Sequence, residues 1–136
     1  LGNKFNGEYL FEKSRKKSLP VKNFIMDSKI VVGVGNIYAN EALFLAGIRP
    51  TKKSGSISKI NFEELSKSIA ITLREAIEAG GTTLKDYTNA EEAPGYFKKE
   101  LKVYDRGGEN CFKCSKKLKE IRQANRQTVY CSNCQN

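Results

Sequence analysis

The 136-residue chain contains no histidine. That absence excludes a Ser-His-Asp triad, a Cys-His dyad, an H-E-x-x-H metal site and a histidine proton shuttle. Chemistry in this chain must therefore use Lys, Glu, Asp, Tyr, Cys or a metal. No apolar run approaches the roughly 20 residues that span a bilayer, and Leu1 to Phe11 do not read as a signal peptide. No internal repeat or low-complexity tract is present, and the chain opens on Leu1 rather than methionine, which suggests a fragment. Hydrophobic residues at 39% and charged residues at 29% place it among folded soluble chains rather than disordered ones.

Charge is plentiful and uneven. There are 24 basic and 15 acidic residues, a formal net charge of +9. Residues 1–50 carry an excess of +4, residues 51–98 are balanced, and residues 99–136 carry +5. Basic clusters at two ends favour a polyanionic partner, because cations near phosphates release condensed counterions. A solvated lysine-rich surface gives the same count, so charge alone leaves both readings open.

Hydrophobic spacing and punctuation predict a mainly α fold followed by a small β-hairpin zinc ribbon. A first helix is expected after Asn6, with Tyr9, Leu10 and Lys13 at helical spacing. A second starts with Ser18 near its cap and Pro20 in its first turn, carries Phe24 and Ile25 inward, and ends near Lys29. The third follows the Gly33-Val34-Gly35 turn with Asn36 as its cap, and stops at Gly47. Two helices joined by such a turn make a helix-turn-helix arrangement. After a polar linker, residues 51–58, a long helix should begin near Asn61 in a capping-box pattern with Glu64. Its core face would be Phe62, Leu65, Ile69, Leu73, Ala76 and Ile77, and Gly80-Gly81 would end it. No element is legible from there to Glu100; beyond it, Leu101–Tyr104 and Thr128–Tyr130 are β-prone.

The most specific motif is Cys111-x2-Cys114-x16-Cys131-x2-Cys134. Each C-x-x-C places two thiolates on one tight turn, and two such turns close a tetrahedron around one Zn²⁺. All four cysteines are used, so the ion would be structural. Two disulfides are the alternative, disfavoured by the lack of a secretory signal and by a reducing cytoplasmic setting. The ribbon has few apolar residues, such as Leu118, Ile121 and Val129, so the metal would supply much of its folding energy. Arg126, in the Asn125-Arg126-Gln127-Thr128 run, falls at the expected hairpin tip, where it is either a phosphate or groove contact or an ordinary exposed arginine. The Gly33-Val34-Gly35-Asn36 turn offers free backbone N–H groups at a helix N-terminus, either for a phosphate or as a plain inter-helix turn.

Taken together, the run from Asp27 to Phe44 resembles the helix–two-turn–helix signature of formamidopyrimidine-DNA glycosylases, bacterial enzymes that excise 8-oxoguanine and ring-opened purines. The cysteine quartet with its closing Gln135 resembles that family's zinc finger. Gly80 to Tyr87, Pro94 to Phe97 and Val103 to Arg106 match its segment over the damaged base, unlike the related endonuclease VIII branch. The resemblance covers nearly the whole chain in order.

The resemblance implies that Lys29, Gly35, Asn36, Tyr38 and Arg126 contact DNA, with Asn36 and Arg126 on phosphates. Thr82, Thr83, Leu84, Lys85, Asp86 and Tyr87 would form the lesion-recognition loop, whose peptide groups can read the added hydrogen and oxygen of an extruded 8-oxoguanine. It implies one structural Zn²⁺ and, as partner, double-stranded DNA carrying oxidised purines or abasic sites. It further implies a monomer in the bacterial cytoplasm with no membrane association. Residues 1–100 would be the DNA-binding helical domain, with the loop at about 80–100, and residues 101–136 the zinc-finger domain.

Two departures stand out. Family members begin with a catalytic Pro-Glu pair on a β-sandwich domain, whose proline amine attacks C1′ before β,δ-elimination. Pro20 is internal and its nitrogen is an amide, so the chain is expected to be the C-terminal half of a bifunctional glycosylase/AP lyase, inactive alone. Asn125 stands where many relatives have glycine. The competing readings are a stand-alone nucleic-acid-binding zinc-ribbon module, an endonuclease VIII-type fragment and an RNA-binding protein.

Overall fold

The computed structural model describes residues 6–31, 33–78 and 101–136. Among these the elements run α1 (Gly7–Ser14), α2 (Val21–Met26), α3 (Asn36–Ala46), α4 (Lys59–Glu78), β1 (Lys119–Gln123) and β2 (Arg126–Tyr130). The expected mainly α layer followed by a β-hairpin is therefore the observed architecture. The lesion-loop residues Thr82 to Tyr87 and the Gly80-Gly81 stop lie outside the described residues.

The helical layer is built from apolar stripes meeting at one centre. Leu10 of α1, Phe24 and Ile25 of α2, Leu43 of α3 and Phe62, Leu65 and Ile69 of α4 are all essentially inaccessible to water. Phe24 and Phe62 meet with ring centroids 5.9 Å apart at a tilted 56°, an arrangement that avoids stacking two negative π faces. Of the core face read for α4, Ile77 is the exception: it is exposed, while Ala76 is buried.

Helix ends follow local chemistry, and in places differ from the spacing argument. Asn6 caps α1 as expected, its Oδ1 accepting the Tyr9 N–H at 2.8 Å. Gly47 ends α3 in the left-handed conformation, φ 75°. Helix α2 is shorter than expected at both ends. Its early N–H groups are satisfied by the 50–52 loop, Val21 N to Lys52 O at 2.7 Å and Lys22 N to Pro50 O at 3.3 Å, so Ser18 has no capping role to fill. At the other end the Asp27 carboxylate accepts the Lys29 N–H at 2.9 Å and turns the chain before Lys29 can join the helix. Helix α4 starts two residues early because Ser58 Oγ, not Asn61, accepts the N3 backbone N–H at 3.1 Å. Asn36 is the first helical residue of α3, and Gly35 holds the cap position.

The hairpin pairs Lys119 with Tyr130 through to Gln123 with Arg126 in antiparallel register. Its two turn residues, Ala124 and Asn125, have φ of 50° and 64°, the sign a type I′ hairpin turn requires. Asn tolerates that conformation better than most residues, so the two-residue turn closes without glycine. Leu101–Tyr104 is not a strand: the Lys102, Val103 and Tyr104 N–H groups are taken up by Glu41, described below.

Helix α3 belongs to two cores at once. Ala39, Ala42 and Leu43 face the helical layer, whereas Phe44 joins Val103, Leu118, Val129 and Cys131 beneath the hairpin. A helix buried on opposite sides fixes the hairpin against the helix-turn-helix. No helix of the described residues is long and apolar enough to cross a membrane.

Candidate nucleic-acid interface and metal centre

The four cysteine sulfurs lie within 4.8 Å of one another. Cys111 Sγ and Cys134 Sγ are 3.9 Å apart, and Cys114 Sγ and Cys131 Sγ 3.5 Å, so no disulfide bridges them. Four thiolates around one ion at about 2.3 Å give a tetrahedral edge of about 3.8 Å, close to both spacings. Backbone N–H groups point at the sulfurs on each turn, Lys113 N to Cys111 and Cys134 N to Cys131, both at 3.4 Å. In the absence of an ion, the Lys116 backbone N–H leads in lowering the Cys114 thiol to about 6. Burial and the crowding of neighbouring sulfurs push Cys134 up to about 12. The site is closed, with every ligand position taken by protein, which suits structural ligation and no metal-borne catalysis.

At the other end of the hairpin, charge and open backbone converge. Gly33 has φ 92°, a conformation that favours glycine, and a Cβ placed on Gly33 or Gly35 would meet nothing within 4 Å. Packing therefore does not require a bare backbone at Gly35. The turn and the first N–H groups of α3 present an open, positively polarised surface. Beside it, Lys22 is 1% exposed, an unusual burial for an amine. Its Nζ donates to Asn36 Oδ1 at 2.5 Å, and Asn36 Nδ2 donates to the Gln127 carbonyl at 3.0 Å. Burial first, and the positive charge of Arg126 second, lower Lys22 to about 8. A buried amine that feels a second cation, beside an open helix N-terminus, is an arrangement that an anion would relieve.

The expected site residues fall into three groups. Asn36 and Arg126 come together through Gln127 and Lys22, and Gly35 lies immediately before Asn36. Arg126 is exposed at the start of β2. Lys29 is exposed on the turn after α2, and Tyr38 is half-buried against the helical core. Three residues in this region went unread in the sequence. Lys22 gave no signal, because a lysine in the first turn of a short helix reads as solvated surface. Asn40 and Glu41 read as interior helical positions, yet each binds backbone of the C-terminal segment. Glu41 is buried and accepts three consecutive N–H groups: Lys102 at 2.6 Å on Oε1, and Val103 at 2.9 Å and Tyr104 at 2.8 Å on Oε2. Burial raises its carboxyl above the ordinary range, with the three donors opposing that shift.

The family model of the formamidopyrimidine-DNA glycosylase H2TH domain matches residues 1–88. The chain belongs to this family. Its relatives include the formamidopyrimidine-DNA glycosylases of Idiomarina loihiensis, 58% identical over 131 residues, and Cellvibrio japonicus, 55% identical over 135 residues. These alignments take in 96% and 99% of this chain but 48% and 50% of the relatives. The chain thus spans about half the length of the glycosylases it matches. Among solved structures, Lactococcus lactis Fpg bound to DNA containing an abasic site superposes with a TM-score of 0.84 at 32% identity, covering 97% of this chain and 48% of that one. The same enzyme bound to Fapy-dG DNA gives 0.84 over the same shares. The likeness to these solved structures extends past the residues matched by the H2TH model into the hairpin.

Proposed function

We propose that this chain is the DNA-binding part of a base-excision-repair glycosylase/AP lyase that removes 8-oxoguanine and formamidopyrimidines. The observation that carries this is the convergence of Lys22, Asn36 and Arg126 beside the open Gly33–Gly35 turn, two cations and a helix N-terminus around space that suits a backbone phosphate. Lys29 and Tyr38 extend the same DNA-facing region, and Thr82 to Tyr87 serve as the lesion-recognition loop. One Zn²⁺ held by Cys111, Cys114, Cys131 and Cys134 shapes the finger that presents Arg126. The partner is duplex DNA bearing oxidised purines or abasic sites, met by a monomer in the bacterial cytoplasm. Residues 1–100 and 101–136 act as a helical and a zinc-finger unit.

These 136 residues by themselves are expected to bind DNA without cutting it, since none of them matches the family's Pro-Glu pair. Purified with zinc, it should bind a duplex carrying an abasic-site analogue with strong salt dependence, and Arg126→Ala should reduce the slope of log affinity against log salt by about one. It should give no borohydride-trapped adduct with 8-oxoguanine DNA. Absence of binding sinks the proposal, an unchanged slope removes Arg126 from the phosphate contacts, and a trapped adduct overturns the inactive-fragment reading.

A further inference from the structure

Strand β2 has one pairing partner among the described residues, β1, and turns its other edge to α3. On that edge lie the Gln127 carbonyl and the Val129 N–H, two residues apart and so pointing the same way. Both are met by one side chain. Asn40, 1% exposed on α3, accepts the Val129 N–H on Oδ1 at 2.7 Å and directs Nδ2 toward the Gln127 carbonyl at 3.4 Å. The same Nδ2 donates to the Asn36 carbonyl at 2.8 Å. A primary amide is used here as a peptide group would be in an adjoining strand, with acceptor and donor facing a strand's N–H and C=O. One helical turn earlier, Asn36 Nδ2 reaches the same Gln127 carbonyl at 3.0 Å.

We infer that Asn40 is a positioning residue for the phosphate grip: by locking Gln127 and Val129 onto α3, it sets Arg126 at the right place relative to Asn36 and Lys22. The inference rests on the DNA-binding reading above. The chemistry demands both a donor and an acceptor on a short side chain. An apolar isostere at position 40 leaves a buried N–H without its acceptor, and β2 can then slide or lift from α3. Arg126, next to Gln127 in sequence, moves with it. Gln127 adds a further tie, its Oε1 accepting the Asp105 N–H at 3.0 Å, so the strand is held on both sides at this one residue.

The test is a double-mutant cycle in zinc-loaded protein, with a duplex carrying an abasic-site analogue as probe. Asn40→Leu, uncharged and of similar volume, should weaken binding about tenfold and reduce the salt slope by about one. In an Arg126→Ala background it should cause no further loss in either quantity, because the arginine it positions is gone. Equal losses in both backgrounds, or none in the wild-type background, overturn the inference. Failure of wild-type chain to bind the duplex instead overturns the DNA-binding reading. If Asn40→Leu does not retain zinc, Asn40→Ser replaces it in the same cycle. Independently, the Val129 amide of wild-type protein should resist hydrogen exchange; exchange at the rate of an open edge amide overturns the inference.

Discussion

The helical layer and the cysteine hairpin are stabilised by different means, and the contrast explains how Lys22, Asn36 and Arg126, the groups proposed to face DNA, are held together across both. Among the described residues, the helical layer has fourteen buried apolar residues in one cluster, including two phenylalanines. The hairpin's cluster has six, of which two are cysteines and one, Phe44, is borrowed from α3. The hairpin's own apolar cluster is therefore slight and leans on α3, leaving room for the proposed Zn²⁺ to stabilise it, whereas the helices are held by their own apolar core. The boundary between them is polar. Asn36, Asn40 and Glu41 on α3 grip hairpin-side backbone, and Gln135, fully buried, receives the Cys131 N–H at 2.8 Å and donates to the Ile48 carbonyl at 2.9 Å. Such a boundary has direction and register, which a greasy one lacks, and register is what the proposed phosphate grip, built from two elements, needs.

Metal removal should expose this contrast most strongly. Chelation is expected to abolish hairpin order, since structural zinc in finger peptides contributes on the order of 10 kcal/mol, while the four helices persist. Far-UV circular dichroism with amide exchange resolved by segment checks this, and simultaneous melting of the helices would break the comparison. Next in size, Phe62→Ala should cost about 3–5 kcal/mol of global stability by opening a cavity beneath Phe24. Thermal unfolding of zinc-loaded protein measures it, and metal retention by the still-folded variant would sharpen the division between the two parts.

The smallest effect concerns pH at the boundary. With Lys22 lowered to about 8 in the free chain, its amine is half neutral at that pH and mostly neutral by about pH 9. An anion favours the charged form, so DNA affinity should fall by up to about tenfold between pH 7 and pH 9. Lys22→Gln should show a flatter profile over that interval; an identical profile would detach Lys22 from the grip. For folding the sign is opposite: the unfolded lysine, at 10.5, binds more proton between about 8 and 10.5, so this group makes the free chain more stable as pH rises there.

Much of this molecule was legible in its residues because the signals were local or periodic. The C-x-x-C pairs marked the metal centre, and Asn6 and Gly47 marked helix ends by their own backbone chemistry. The stripe from Phe62 to Ile69 marked the buried face of α4. The readings that failed were those settled by a distant partner. The β-prone run Leu101–Tyr104 became a turn because Glu41, some sixty residues earlier, offered a buried carboxylate to three of its N–H groups. Ser18 was passed over as a cap because the 50–52 loop reached the α2 N-terminus first.

By itself, then, the sequence determined the helices, the cysteine quartet and the basic ends, since periodicity, cysteine spacing and charge are properties of short segments. Only the tertiary structure decided that Lys22 is buried beside Asn36, that Asn40 serves as a surrogate strand, and that α3 carries two cores. These depend on pairs of groups some 14 to 91 residues apart, whose meeting is fixed by how whole elements pack and not by what neighbours them along the chain.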